Sequence, residues 1–99
     1  MALISRDKDL ARTGHTCTFI VPVIASQYSV FANDIEVLRQ GDRCAPHFIR
    51  KGLFCLGHFA KVNRGSRSVF AENIPVARRG DSTDFGSLIR SSFNVFAGG

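Results

Sequence analysis

The sequence predicts a small all-β protein in which three β-hairpin repeats surround a pseudo-threefold axis. Three observations lead to this fold class: a Val-Phe-Ala segment recurs three times, polar turn residues follow it, and the hydrophobic period of helices is almost absent. The 99 residues are predicted to form one domain, residues 1–99, because a chain of this length supports a single hydrophobic core.

The first part of each repeat has the pattern of a strand followed by a tight turn. It is "SVFANDI" at residues 29–35, "SVFAENI" at 68–74 and "NVFAGG" at 94–99. Val and Phe favour extended backbone, and polar pairs such as Asn33-Asp34 are typical of two-residue hairpin turns. Each copy therefore predicts a β-hairpin.

The second part of the repeat is a return strand that ends near a glycine. It is "EVLRQGD" at 36–42 and "PVARRGD" at 75–81, and "DLARTGH" at 9–15 is aligned with these two as the missing part of the third copy. The alignment predicts a closed ring in which the strand near 9–12 pairs with the strand near 94–97. Closure protects strand edges, whereas the alternative, an open stack of three repeats, leaves them exposed. The positions made equivalent are Arg12, Arg39 and Arg78; Gly14, Gly41 and Gly80; and His15, Asp42 and Asp81.

The repeated side chains favour structural roles. Phe31, Phe70 and Phe96 are interpreted first as core residues and second as apolar contacts at the base of the molecule. The three equivalent arginines favour packing or surface pairing over a unique site. Asp42 and Asp81 are interpreted as turn residues whose carboxylates accept hydrogen bonds from backbone NH groups. No pair of nucleophile and base is recognised, so the sequence predicts a protein that is not an enzyme.

The composition argues against a disordered, a membrane-spanning or an exported protein. Hydrophobic content of 44% with 21% charged residues is typical of a folded globular chain. The longest apolar run, residues 19–25, is too short to cross a bilayer and contains Pro22. Three cysteines form an odd set and no signal peptide precedes them, so neither a disulfide framework nor export is expected, and synthesis in a reducing cytoplasm is predicted.

Residues 44–58 contain two cysteines and two histidines in a stretch that the repeat does not explain. Phe31 and Phe70 are 39 residues apart, whereas Phe70 and Phe96 are 26 apart, so this stretch is predicted to be an insertion that extends the molecule away from its base. A loop with few strand partners needs a cross-link, and structural zinc supplies one through four Cys or His ligands. The candidate ligands are His15, Cys17, Cys44, His47, Cys55 and His58.

The C-x-x-H spacing occurs twice, at Cys44–His47 and at Cys55–His58, so the pattern leaves the choice of cysteine open. We favour Cys55, because Cys44 then becomes a small buried residue, like Cys17, at the position that Thr83 occupies in another unit. The alternative is that no metal binds and that the cysteines are core residues.

"IPVARRGD", "GSRSVFAEN" and "SSFNVFAGG" together resemble the PAAR-repeat family, and the resemblance extends from about Leu10 to Gly99. Only Pro75-Val76-Ala77-Arg78 is close to the run that gives the family its name, and Ser26-Gln27-Tyr28 stands where Gly-Ser is expected. The resemblance implies a conical fold with one zinc ion near the apex, bound by three histidines and one cysteine. The expected ligands are His15, His47, Cys55 and His58.

The resemblance also implies a function. Such proteins are the sharp tips that sit on homotrimeric β-helical spikes, one copy per trimer, in contractile phage tails and type VI secretion systems. A chain of 99 residues without an effector extension resembles the phage form, so we expect a virion protein at the tip of the baseplate's central spike that contacts the host outer membrane transiently. Nucleic acid and small-molecule substrates are not expected.

Three alternatives stay open at the level of sequence. One is the tip of a type VI secretion spike. Another is a small zinc-stabilised nucleic-acid-binding module, which the net charge of +5 and the Cys/His cluster favour but the scattered basic residues do not. The last, a zinc hydrolase, lacks a recognisable general base, because Glu36 and Glu72 lie at hairpin positions.

Overall fold

The computed structural model describes residues 2–98, which form short β-strands and contain no α-helix. No helix in this range is therefore available to span a bilayer. The molecule is elongated, with extents of 43 × 23 × 22 Å. The strands are β1 (Ala2–Leu3), β2 (Leu10–Arg12), β3 (Ile20–Ile24), β4 (Phe31–Ala32), β5 (Ile35–Glu36), β6 (Arg43–Cys44), β7 (His47–Lys51), β8 (Phe54–His58), β9 (Phe70–Ala71), β10 (Ile74–Pro75), β11 (Ser87–Leu88) and β12 (Phe96–Ala97).

Three antiparallel strand pairs form one end of the molecule, which we call the base. They are β4–β5, β9–β10 and β12–β1, and in each pair the repeated Phe is opposite the second residue of the partner strand. The turns of the first two pairs have positive φ at both central residues, 53° and 64° at Asn33-Asp34 and 48° and 67° at Glu72-Asn73. These values match the type I′ hairpin turn, whose twist suits paired strands. The all-β fold with three paired units is confirmed; in the third unit the C-terminal strand β12 pairs with the N-terminal strand β1, and Gly99 lies outside the described residues.

The three units join in a closed ring of backbone hydrogen bonds. Ser5 N donates to Ala77 O at 3.0 Å, Ala77 N donates to Leu38 O at 2.8 Å, and Leu38 N donates to Ser5 O at 2.9 Å. All three residues are fully buried. A cycle in which each segment bonds the next in the same way requires three segments related by rotation about one axis. The predicted pseudo-threefold closure is therefore confirmed.

The predicted register of that closure is wrong. The strand that pairs with the C-terminal strand is Ala2–Leu3, with Ala2 opposite Ala97 and Leu3 opposite Phe96. The segment "ALISRDKD" at 2–9, rather than 9–15, thus completes the third unit. Residues 10–12 form β2, which pairs with β3 and β11 in the four-stranded sheet β11–β2–β3–β6.

The corrected register changes the equivalent residues. Arg6, not Arg12, corresponds to Arg39 and Arg78, and Asp9, not His15, corresponds to Asp42 and Asp81. Gly14 is likewise replaced by Lys8, whose φ of 66° is close to the 89° and 93° of Gly41 and Gly80. Lysine rarely adopts this left-handed conformation, and a sequence pattern that expects glycine here therefore misses the third copy of the turn.

Each unit then uses its aspartate in the same way. Asp9, Asp42 and Asp81 accept a hydrogen bond from the backbone NH three residues earlier, at 2.9, 2.8 and 2.8 Å. The interpretation of Asp42 and Asp81 as turn caps is confirmed. Arg6 and Arg78 also form ion pairs with their own aspartates at 3.0 Å, which agrees with the pairing role expected for the repeated arginines.

Two apolar clusters lie along the axis. The cluster near the base takes two residues from each unit, namely Ile4, Ala32, Val37, Ala71, Val76 and Ala97. The larger cluster, next to the four-stranded sheet, contains Ala11, Val21, Val23, Leu38, Cys44, Ala60, Val62, Ala77 and Leu88.

The core interpretation of the repeated phenylalanines is wrong. Phe31, Phe70 and Phe96 are 51%, 53% and 52% exposed, whereas the alanine that follows each of them is buried. Successive side chains of a strand point to opposite sides, so only one of the two can face the axis. Three strands converge at the axis, and the space between them is large enough only for small side chains such as the methyl group of alanine.

Candidate metal centre

Three loops extend from the four-stranded sheet on the side opposite the base, and we call them the apical loops. They are residues 13–19 between β2 and β3, the hairpin β7–β8, and residues 84–86. The hairpin is the predicted insertion, and its central turn contains Gly52 with a φ of 61°. His47 and His58 are directly opposite each other in it, so their side chains project from the same face.

Gly14 brings His15 to the same place. A Cβ atom on Gly14 would lie 1.6 Å from the carbonyl oxygen of Phe85, so only glycine allows loop 13–19 to approach loop 84–86 so closely. The Thr13 hydroxyl fixes the loop further by hydrogen bonds to the carbonyls of Thr18 and Phe19. The result is that His15 faces the histidines of the β7–β8 hairpin.

The three histidines form one cluster. Each offers a ring nitrogen, and these nitrogens all lie within 4.8 Å of one another. The ring centroids are 5.1 Å apart for His15 and His47, and 5.0 Å apart for each of the other two pairs. His47 is buried, while His15 and His58 are partly buried. The structure therefore brings together three of the four residues predicted to bind metal.

The hydrogen bonds of the rings determine which nitrogens face inward. His47 Nδ1 lies 2.8 Å from Ala45 O and His15 Nδ1 lies 3.2 Å from Thr16 O, and because a carbonyl only accepts, both Nδ1 atoms carry the proton. The two Nε2 atoms are 3.2 Å apart. When both rings are neutral, each Nε2 presents a lone pair, and a cation between the two atoms would be bound by both.

These observations fit a metal ion. Zinc–nitrogen bonds of 2.0 to 2.1 Å place two nitrogens of a tetrahedral site about 3.3 Å apart, close to the observed separation of the two Nε2 atoms. His58 Nε2 is buried and has no hydrogen-bond partner. Burial, followed by the neighbouring His47 and His15, lowers the pKa of His58, which favours the neutral form that ligates metals. The carbonyl partners of the two Nδ1 atoms are the outer contacts that orient ligand histidines.

The cysteines are arranged differently from the expectation. Cys55 forms a disulfide bond with Cys17, so it offers no thiolate in this structure, and its role as fourth ligand stays a prediction for the reduced chain. No disulfide framework was expected, and the structure has this single bond; the expectation that Cys17 is a small buried residue is wrong, because Cys17 is exposed and disulfide-bonded. Cys44 is a buried core residue opposite β3, as expected, and is not part of the histidine cluster. Burial, with a smaller effect of Asp84, raises its pKa to about 11.

The comparison with protein families gives one match. The PAAR motif model matches residues 13–91, which is more than half of the chain. The chain belongs to the PAAR family. It is therefore a spike-tip protein of a contractile injection system or a type VI-like secretion system. No curated protein matches the chain in sequence.

The sequence did not reveal one residue of this PAAR apex. Phe85 lies against the cluster, with its ring centroid 6.2 Å from that of His15 and 5.8 Å from that of His58. Asp84, beside it, is the carboxylate that influences His58, but it accepts hydrogen bonds from Lys61 N at 3.2 Å and from Asn63 Nδ2 at 3.0 Å. Only the corrected register, which aligns residues 82–88 with the longer loops of the other units, would have indicated this contribution.

Proposed function

We propose that this chain is the tip of the central spike of a contractile phage tail, a virion protein that caps a homotrimeric β-helical spike and helps it to pierce the host envelope. One observation carries the proposal. Phe31, Phe70 and Phe96 occupy equivalent positions of the three hairpins and are exposed to almost the same extent, 51%, 53% and 52%. A single chain thereby offers three similar apolar contacts to a partner with true threefold symmetry.

Hydrogen bonds between neighbouring units hold these three side chains at fixed distances from one another. Asn33 Nδ2 donates to Asn94 Oδ1 at 2.8 Å, which links the first hairpin to the third. Ser29 and Glu72 are hydrogen-bonded, which links the first hairpin to the second. The base is therefore preorganised before it meets a partner, and preorganisation reduces the entropy lost on binding.

We infer that the apical histidines hold one structural zinc ion, with the Cys55 thiolate as the fourth ligand of the reduced chain. His15 lies on loop 13–19, while His47 and His58 lie on the β7–β8 hairpin, so the ion would join two apical loops. Bound zinc supplies a cross-link that stiffens a loop region with few strand partners. Because the carboxylate that influences His58, that of Asp84, is already hydrogen-bonded to Lys61 and Asn63, we propose no enzymatic role.

The experiment that tests the proposal measures binding of this chain to the C-terminal β-helical fragment of its spike. Single substitutions Phe31→Ser, Phe70→Ser and Phe96→Ser should weaken binding by similar factors of about tenfold each, as expected for central aromatic contacts. The triple variant should not bind. Phe54→Ser is the matched control, because Phe54 is 70% exposed but lies on the β7–β8 hairpin, away from the base, and this variant should bind normally. Normal binding by the triple variant would refute the proposal.

A further inference from the structure

A second set of exposed apolar side chains lies at the apex, on the β7–β8 hairpin. Leu53 and Phe54 at its turn are 89% and 70% exposed, and Phe48 and Leu56 on its strands are 55% and 50% exposed. The base has aromatic residues at equivalent positions of the three units, whereas this set belongs to one hairpin alone. We call Phe48, Arg50, Lys51, Leu53, Phe54 and Leu56 the apical tip.

The charge around the apical tip has one sign. The hairpin at residues 47–58 contains Arg50 and Lys51 and no Asp or Glu. Arg50 and Lys51 are exposed and come directly before the apolar turn. In loop 84–86, Asp84 is engaged with Lys61 and Asn63. A partner that covers the tip must therefore bind apolar groups and cations side by side.

The hairpin is built to project without unfolding. All five residues of β7 pair with residues of β8, from His47 opposite His58 to Lys51 opposite Phe54. The disulfide between Cys17 and Cys55 ties the hairpin to loop 13–19, and the histidine cluster joins the same two segments. Main-chain pairing and these cross-links allow the turn to enter an apolar environment with most of its backbone groups satisfied.

We propose that the apical tip binds the interface of a lipid bilayer that contains anionic headgroups. Leu53 and Phe54 enter the boundary between headgroups and acyl chains, while Arg50 and Lys51 remain at the level of the lipid phosphates. Adjacent apolar and basic side chains are the composition that favours this location, and anionic lipid supplies the complementary charge. The inference deepens the proposed function, because it assigns the contact with the host envelope to named residues.

The test is co-sedimentation of the full chain with phosphatidylcholine vesicles, with and without phosphatidylglycerol. Wild-type protein should bind the anionic vesicles more tightly, and salt should weaken this binding. Leu53→Ser/Phe54→Ser should reduce vesicle binding about tenfold or more, given the apolar area that is lost. Arg50→Gln/Lys51→Gln should reduce binding to anionic vesicles by about fivefold per charge and leave binding to phosphatidylcholine unchanged.

Phe93→Ser is the matched control here, because Phe93 has similar exposure, 77%, but lies beside Asn94 at the base rather than on the hairpin, and this variant should leave vesicle binding intact. All substituted side chains are on the surface, and near-wild-type thermal unfolding of each variant verifies the fold. Absence of wild-type binding, equal binding to both vesicle types, or normal binding by the Leu53→Ser/Phe54→Ser variant would each overturn the inference. The same variant should still bind the spike fragment, so failure at the membrane and failure at the spike are separate results.

Discussion

Leu38 provides a quantitative test of the closed ring. It is one of the two largest fully buried side chains, with Leu88, and its backbone hydrogen-bonds to Ser5 and Ala77 at the equivalent positions of the other units. One large and two small residues thus share the space beside the axis. Leu38→Ala should lower the free energy of unfolding by about 3 to 4 kcal/mol, the cost of a buried cavity. Ala77→Leu alone should cost about 1 to 3 kcal/mol, because it overpacks the same space.

The double variant, Leu38→Ala/Ala77→Leu, tests whether these two side chains share the same space. In the Leu38→Ala background the new leucine at position 77 can occupy the vacated volume, so Ala77→Leu should there stabilise the protein by at least about 1 kcal/mol, reversing the sign of its effect. Urea unfolding followed by far-UV circular dichroism, at constant metal content and oxidation state, measures all four proteins. If Ala77→Leu is destabilising by the same amount in both backgrounds, the two residues do not share space and the packing of the axis described above is wrong.

Three further predictions concern the cysteines and the metal. In metal-free protein, breaking the Cys17–Cys55 disulfide, which spans 38 residues, should cost about 4 kcal/mol from chain entropy alone, and a melting temperature unaffected by reductant would contradict the bond. Because burial raises the pKa of Cys44 to about 11, iodoacetamide should modify it only after unfolding, as mass spectrometry would detect, and rapid labelling of native protein would show that it is accessible. Purified protein should contain about one zinc per chain, and His58→Ala should lose it; full metal content in that variant would remove His58 from the ligand set.

Features encoded within a few residues could be predicted from the sequence. The Val-Phe-Ala strands with their polar turns are local, and they predicted the first two hairpins and the C-terminal strand of the third unit. The insertion containing His47 and His58 was detectable as an interruption of the repeat. The convergence of His15 with them was implied by the family resemblance, because no local pattern connects a loop near the N-terminus to a hairpin some thirty residues later.

Other features depend on the assembled fold. The closing strand was misplaced because Lys8 adopts the conformation that glycine provides in the other units. The orientation of Phe31 could not be deduced, since a strand of two residues has no alternation that identifies its inner face. The partnership of Cys17 with Cys55 exists only because two apical loops meet, and cysteine count alone did not indicate it.

The central claim is that one chain imitates a threefold partner. Native mass spectrometry of this protein mixed with the trimeric β-helical fragment of its spike tests that claim most directly. We predict a complex of three spike chains and one copy of this chain, even with this chain in excess. A complex with three copies of this chain per trimer, or a stable trimer of this chain that leaves the spike unbound, would contradict it.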